Sequence, residues 1–259
     1  MPVKNGAKNR EKTREKSREK PEVIADELRS MIVSGKLRDG ASLGRESDLV
    51  ERFGVSRPSL REALRILEAE GLVAVVRGVR GGVVVQQPDE RMTARNAALV
   101  LQFRNVTLAD VQEARNIIEP AAARMLASAR DRRAAAEELR TLIAAEQEAI
   151  GDPAAFGKAN AEFHERLVAL AGNQTLEIVA EMLNEIVERA VTAVSQSSSA
   201  NGSLAIRRRG IRSQERLVEL IALGAGSEAE AHWHSHMEAV GKVILGQRAT
   251  RVVDLFDHY

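Results

Sequence analysis

Cysteine is absent from the 259 residues, which removes disulfides and thiolate metal sites from consideration. Aromatic residues make up only 3% of the chain, too few for the stacking platforms of a single-strand nucleic-acid binder. No apolar run approaches the roughly 20 residues needed to cross a bilayer, and the first residues are charged, without an apolar signal region. A soluble cytoplasmic protein is the expectation. A dominant charge of one sign is also missing. The formal net charge of +1 excludes a uniformly basic coat but leaves room for a local basic surface. What is plentiful is Leu, Ala, Glu and Arg, a composition that favours helices, in a chain long enough for one large domain or two modest ones.

The most informative stretch is Phe53 to Leu72, FGVSRPSLREALRILEAEGL. Ser56 has the chemistry of an N-cap, and Pro58 falls in the first turn, where its missing N–H costs little. Leu60, Ala63, Leu64 and Leu67 recur at helical spacing, and Gly71 suits a left-handed close. Arg57, Arg61 and Arg65 lie off that apolar face. An amphipathic helix that follows a tight turn and carries arginines in its first turns has the form of a DNA recognition helix. The plain alternative is a solvated arginine face on an ordinary helix.

The flanks favour the first reading. Glu22 to Val33 forms a helix with Val23, Ile24, Leu28, Met31 and Ile32 inward. Leu37, Gly40 and Leu43 fall in a connector, and a short helix covers about Glu46 to Phe53. After the long helix, Val73–Val76 and Val83–Val85 read as β-branched strands around the tip Arg77-Gly78-Val79-Arg80-Gly81-Gly82. Such a tip is a wing, whose glycines allow close approach to DNA and whose arginine suits the minor groove. Ahead of all this, residues 1–20 form a polar, mainly basic tail with an Arg-Glu-Lys near-repeat. It is expected to be disordered, and either adds sequence-blind attraction to phosphates or is a solvated leader.

This half, about residues 22 to 87, resembles the N-terminal domain of GntR-family bacterial transcription regulators. The residues that carry the resemblance are Leu37, Gly40, Leu43, Glu46 and Leu49, the run Phe53-Gly54-Val55-Ser56-Arg57, then Arg61-Glu62-Ala63-Leu64, Leu67-Glu68 and Gly71-Leu72. The resemblance implies a winged helix-turn-helix over 21–88. It implies DNA contacts from Ser56, Arg57, Ser59 and Arg61 on the recognition helix and Arg80 on the wing. One departure stands out. The family often has Pro-Ser-Glu-Arg before the second helix, whereas this chain has Gly44-Arg45-Glu46-Ser47. Serine occupies the usual phosphate-contacting arginine position, and Arg45 is the candidate substitute.

Pro88-Asp89-Glu90 marks the boundary, with a linker over 89–95 and a second domain over 96–250. From about Met92 the pattern is helical throughout. Helices are expected over Thr107–Ala129, Arg132–Ile150, Asp152–Ala171, Gln174 to about Val194, Leu204–Leu223, and from a Ser227-x-x-Glu230 capping box to about Gln247, with a loop over Ser195–Gly202. The fold class is mainly α: a winged helix-turn-helix domain followed by an antiparallel bundle of six or seven helices.

Asn160 and His164 are spaced i, i+4 and share a face, while Gln214 and His236 lie on the last two helices. Polar groups on the apolar faces of separate helices make sense if they converge inside the bundle. A helical-surface alternative is His232 with His236, also i, i+4, against a solvated histidine cluster of His232, His234 and His236.

The run Val111 to Pro120, the Phe163-His164 pair with Gly172-Asn173, and Trp233-x-x-His236-Met237 resemble the FCD-type ligand-binding domain of the FadR subfamily. In many members of that subfamily an Asp and three His hold a divalent metal that binds a carboxylate effector. Here those positions are Asn160, His164, Gln214 and His236. Amides are poor zinc ligands, so His164 and His236 are the only strong donors and a divalent metal is disfavoured. The amides instead suit direct hydrogen bonding to an effector. Arg115 matches an arginine that the subfamily aims at its effector; the alternative is a salt bridge with Glu113 or Glu119.

The combined expectation is a regulator that binds a palindromic double-stranded operator as a homodimer, with a small organic acid or acyl thioester such as an acyl-CoA as effector and no membrane partner. An architectural DNA binder with a degenerate, non-sensing bundle is the alternative. An enzyme would need His164 and His236 to do acid–base work without a nucleophile elbow, phosphate loop or paired carboxylates, and would leave the recognition helix unexplained.

Overall fold

The computed structural model describes residues 21–76, 81–88, 90–195 and 200–245. The basic tail and residues 77–80 of the wing tip, Arg80 among them, lie outside them. The chain divides into two compact units, between Met92 and Thr93.

In the first unit, helix α1 (described over 21–33) buries Ile24, Ala25 and Leu28 against α2 (Glu46–Phe53) and α3 (Arg57–Ala69). The stripe anticipated for α3 is the one observed: Leu60, Ala63, Leu64 and Leu67 are all buried. Each such leucine contributes about 1.5–3 kcal/mol of apolar transfer. Gly54 turns the chain between α2 and α3 in the left-handed region, at φ 59°. Ser56 caps α3 by accepting from the Ser59 amide at 3.3 Å. Gly71 ends it at φ 71°, and Leu72 donates its amide back to the Leu67 carbonyl. Arg29 of α1 forks onto both carboxylate oxygens of Glu70 at 2.8 and 2.7 Å, tying α1 to the end of α3.

Strands β2 (Val73–Val76) and β3 (Gly82–Val85) pair antiparallel, with Val73 opposite Val85. A third strand, β1 (Ser42–Gly44), completes the sheet in the order β1-β3-β2. This corrects the expectation of a plain connector through Leu43. Three residues are too short to show strand periodicity. They are held by tertiary pairing: Val85 donates to the Ala41 carbonyl at 2.9 Å, and Gly40 donates to the Val85 carbonyl at 3.0 Å.

The described residues of the second unit are helical. The helices are α4 (Glu90–Phe103, which the division crosses), α5 (Leu108–Ser128), α6 (Arg132–Glu148), α7 (Pro153–Ala169), α8 (Gln174–Ser195), α9 (Ala200–Leu223) and α10 (Gly226–Leu245). Thr107 caps α5 and Asp152 caps α7 ahead of Pro153, as their side chains predict. Two local expectations fail. Residues 200–202, read as loop, are the first turn of α9. Helix α10 begins at Gly226, so Ser227 lies inside it rather than capping it. The Glu230 carboxylate that would complete a capping box is instead taken by Arg124 at 3.1 Å.

Helix α10 runs along α5, while α6 packs on α7 and α9. The main core holds Trp233, Phe163, Leu126, Leu139, Leu167 and Leu217, all fully buried. No helix among the described residues is long and apolar enough to cross a membrane.

Candidate functional site

Two sites follow, one in each unit. In the first, the cap at Ser56 aims the start of α3 outward. Arg57, Arg61 and Arg65 are exposed on the face opposite the buried leucines. Arg57 has no hydrogen-bond or ion-pair partner among the described residues, whereas Arg61 Nε donates to Glu46 Oε2 at 2.9 Å. The Ser56 and Ser59 hydroxyls bond each other at 2.9 Å. Arg45 is exposed at the start of α2, and its backbone amide donates to Asp48 Oδ2. A cluster of exposed guanidinium groups around one helix N-terminus is the charge arrangement that phosphate and base-edge contacts require.

The second site is a buried polar cluster in the helical unit. At its centre is Glu119, on α5 and almost fully buried. Arg115, one turn earlier, donates to Glu119 Oε1 from Nε at 3.0 Å and pairs through Nη2 at 2.8 Å. The other oxygen accepts from His164 Nδ1 at 2.5 Å and Trp233 Nε1 at 3.1 Å. Burial alone would push this carboxyl up. The charges of His164 and Arg115, with the His164 and Trp233 hydrogen bonds, outweigh it and hold the pKa at about 2. The carboxylate therefore accepts from Nδ1 and fixes the His164 ring, leaving Nε2 for other use. Arg115 thus makes the salt bridge to Glu119 that was one of its two alternative partners, and Nη1 reaches Gln112 Oε1 at 3.4 Å.

A second buried carboxylate, Glu146 on α6, organises the two amides. Gln214 Nε2 donates to Glu146 Oε1 at 2.8 Å, and Asn160 Nδ2 lies 3.5 Å from both oxygens. Burial raises the Glu146 pKa, opposed by the Gln214 hydrogen bond, the His164 charge and the Asn160 bond. His236 stacks on the Trp233 indole at 4.3 Å and lies 6.3 Å from the His164 ring, centroid to centroid. All five side chains expected from the sequence are therefore drawn into one region: Arg115 and His164 through Glu119, Asn160 and Gln214 through Glu146, and His236 beside His164.

The three histidines of α10 part company. His232 bonds the Ser213 carbonyl at 2.8 Å, His234 is exposed near Glu238, and only His236 joins the buried cluster. Glu119 and Glu146 are the site residues that sequence reasoning does not single out. Glu119 follows Arg115 by four residues, and Glu146 continues the buried stripe of Leu139 and Ile143 at helical spacing, a placement unusual for a carboxylate. Asn184 on α8 is another buried amide, with neither side-chain atom bonded among the described residues.

A resident divalent metal does not fit these residues. Both amides turn their nitrogens onto Glu146, which leaves His164 Nε2 and His236 as the strong neutral donors of the set. No three His, Asp or Glu side chains among the described residues are arranged to hold an ion. Asn160→Asp with Gln214→His restores an anionic ligand and a third imidazole. The double variant is expected to bind zinc at least about tenfold more tightly than the parent, by equilibrium dialysis against a metal indicator. Equal affinity for the two would refute that reading of the donor set.

His236 makes the cluster sensitive to pH. Burial, and then the His164 charge, lower its pKa from 6.5 to about 3. The folded ring stays neutral while the unfolded ring takes a proton, so its contribution is complete above pH 6.5 and falls as the pH drops toward 3. Between about pH 7 and about pH 5 the parent should lose about 2 kcal/mol more stability than His236→Gln, measured by urea unfolding. The raised Glu146 carboxyl is common to both proteins, so its contribution cancels in the difference. Parallel losses would show that His236 is not held neutral.

Comparison with known proteins agrees with both halves. Residues 20–85 match the family described as bacterial regulatory proteins, gntR family, and residues 110–239 match the FCD domain. The chain is 25% identical to the HTH-type transcriptional regulator LutR of Bacillus subtilis over 83% of its own length and 97% of that protein. It is 29% identical to the HTH-type transcriptional repressor NanR of Klebsiella aerogenes over 59% of its length and 58% of NanR. Among solved structures, Streptococcus agalactiae GntR shares the fold with a TM-score of 0.65 at 21% identity, over 86% of this chain and 99% of that one. The gntR-matching unit with helix α3 and its three-stranded sheet, and the FCD-matching helical unit, make this chain a member of the GntR family of DNA-binding transcription regulators, not an enzyme.

Proposed function

We propose that this regulator binds a palindromic operator as a homodimer and is controlled by a small carboxylate or acyl thioester sensed in its FCD domain. The observation that carries the sensing half is the polar cluster: buried Arg115, His164, Gln214 and His236 with half-buried Asn160, from four helices, gathered around two carboxylates. An inert core has no use for so many buried polar groups, each costly unless partnered. Arg115 keeps one N–H on each terminal nitrogen beyond its bonds to Glu119 and Gln112, and neither His236 nitrogen is bonded among the described residues. These donors suit a carboxylate. Dimerisation is supported by large apolar side chains left in solvent on the helical unit, Phe103, Ile117 and Ile178. Two copies of α3 related by a two-fold axis would read two identical half-sites. Effector binding would favour one arrangement of the two DNA-binding units over another, changing operator affinity.

Sedimentation of the full chain with a DNA fragment selected from a random-sequence pool tests this. The expected result is two chains per fragment, on a selected sequence with two-fold symmetry. One chain bound to an asymmetric sequence would overturn the dimeric reading.

A further inference from the structure

The FCD-domain cluster is unequal in what it offers a ligand. Gln214 is fully buried, and its Nε2 is fixed on Glu146 by the 2.8 Å contact with a carboxylate. The amide oxygen of Gln214 then faces away from Glu146 and has no partner: Oε1 is a buried acceptor with no hydrogen bond among the described residues. Such an orphan is costly and rare. Asn160 shows the same polarity. Its nitrogen goes to Glu146, and its oxygen accepts nothing among the described residues. Glu146 itself receives only amide N–H groups and has acceptor capacity to spare. This side of the cluster is therefore all acceptor. The Arg115 and His236 side is where the unspent N–H groups lie.

From this asymmetry we infer that the ligand carries a hydroxyl or ammonium group that donates to Gln214 Oε1 and Glu146, beside the carboxylate that meets Arg115. The ligand class is then a small hydroxy acid or amino acid rather than a plain fatty acid. The inference rests on the reading of the cluster as the effector site. A donor group would satisfy the orphaned oxygen and give a charge-assisted bond to Glu146. A plain acid of the same shape would bury both acceptors unmet, and discrimination by such unpaired groups is strong.

The test uses the full chain and matched sets of short acids. Each set has one carbon skeleton in three forms, for example 2-hydroxybutanoate, 2-aminobutanoate and butanoate, with chains from two to six carbons. At about 10 mM, at least one hydroxy or amino form should raise the melting temperature by about 3 °C or more, its unsubstituted partner by less than about 1 °C. Whether the hydroxy or the amino form is preferred identifies the donor. Gln214→Met, which removes both amide atoms at similar volume, should bring the two shifts together. Glu146→Gln serves the same purpose if Gln214→Met fails to melt cooperatively. Equal shifts from the substituted and plain acids, or no shift from any compound, would overturn the inference. A shift lost in His236→Leu but undiminished in Gln214→Met would leave the site in place and sink only the donor contact. A shift undiminished in both would put the ligand elsewhere and sink the site reading as well.

Discussion

Replacing Glu119 with alanine is expected to destabilise the helical unit by about 3–5 kcal/mol, the cost of breaking a buried ion pair from one side. The carboxylate accepts from Arg115, His164 and Trp233, and none of those donors is well placed to find water. Without it, the Arg115 guanidinium is left buried and uncompensated. The Trp233 N–H loses its acceptor in the middle of the core, and the His164 ring loses the bond that orients it. Replacing Glu119 by leucine and Arg115 by methionine together should recover much of the loss, because no charge is then stranded. Urea unfolding of Glu119→Leu, Arg115→Met and the double variant measures the coupling. A Glu119→Ala penalty under about 1 kcal/mol would mean that the network contributes little to holding the site.

Arg57→Ala and Arg61→Ala are each expected to weaken operator binding by about 1–3 kcal/mol, roughly fivefold to more than a hundredfold, where the side chain reads a guanine edge. The two arginines start from different states. Arg57 is exposed without a partner among the described residues, while Arg61 is held by Glu46 of the preceding helix. Arg61 must exchange that exposed ion pair for DNA, and such pairs are worth at most about 1 kcal/mol. Glu46→Ala should therefore leave operator affinity unchanged or modestly higher. Titration of labelled operator at fixed salt decides the matter. Parent-like affinity for a folded Arg61→Ala variant would mean that α3 does not read the operator through that residue.

The DNA-binding unit could be read from the sequence because its signals are local. The cap at Ser56, the proline at the second helical position, the leucine stripe and the closing Gly71 all act within a few residues of one another. Strand β1 could not be read that way, since its three residues are strands only through pairing with β3. The FCD unit divides along the same line. Periodicity placed its helices, and the polar residues on apolar faces pointed to a buried cluster. The direction of each amide was beyond reach. Asn160 and Gln214 seemed free to donate to an effector, but their nitrogens are turned to Glu146, a residue on another helix and 68 positions before Gln214 in the second case. Similarly, the Ser227 capping box looked complete until Arg124 of α5 took its glutamate, a contact across 106 residues. Local chemistry proposes partners; only tertiary contact assigns them.

The central claim is that occupation of the FCD domain changes DNA binding by the other unit. The most direct measurement is fluorescence anisotropy of a labelled DNA fragment, selected by this chain from a random-sequence pool, titrated with the full chain with and without each short acid of the matched sets. At least one acid should shift the apparent Kd about tenfold or more, within the usual range of allosteric coupling, and Arg115→Lys, which keeps a cation beside Glu119 but loses the paired guanidinium N–H groups, should abolish that shift while leaving ligand-free DNA binding intact. DNA affinity unchanged across the whole panel, including by acids that stabilise the folded chain, would contradict the account.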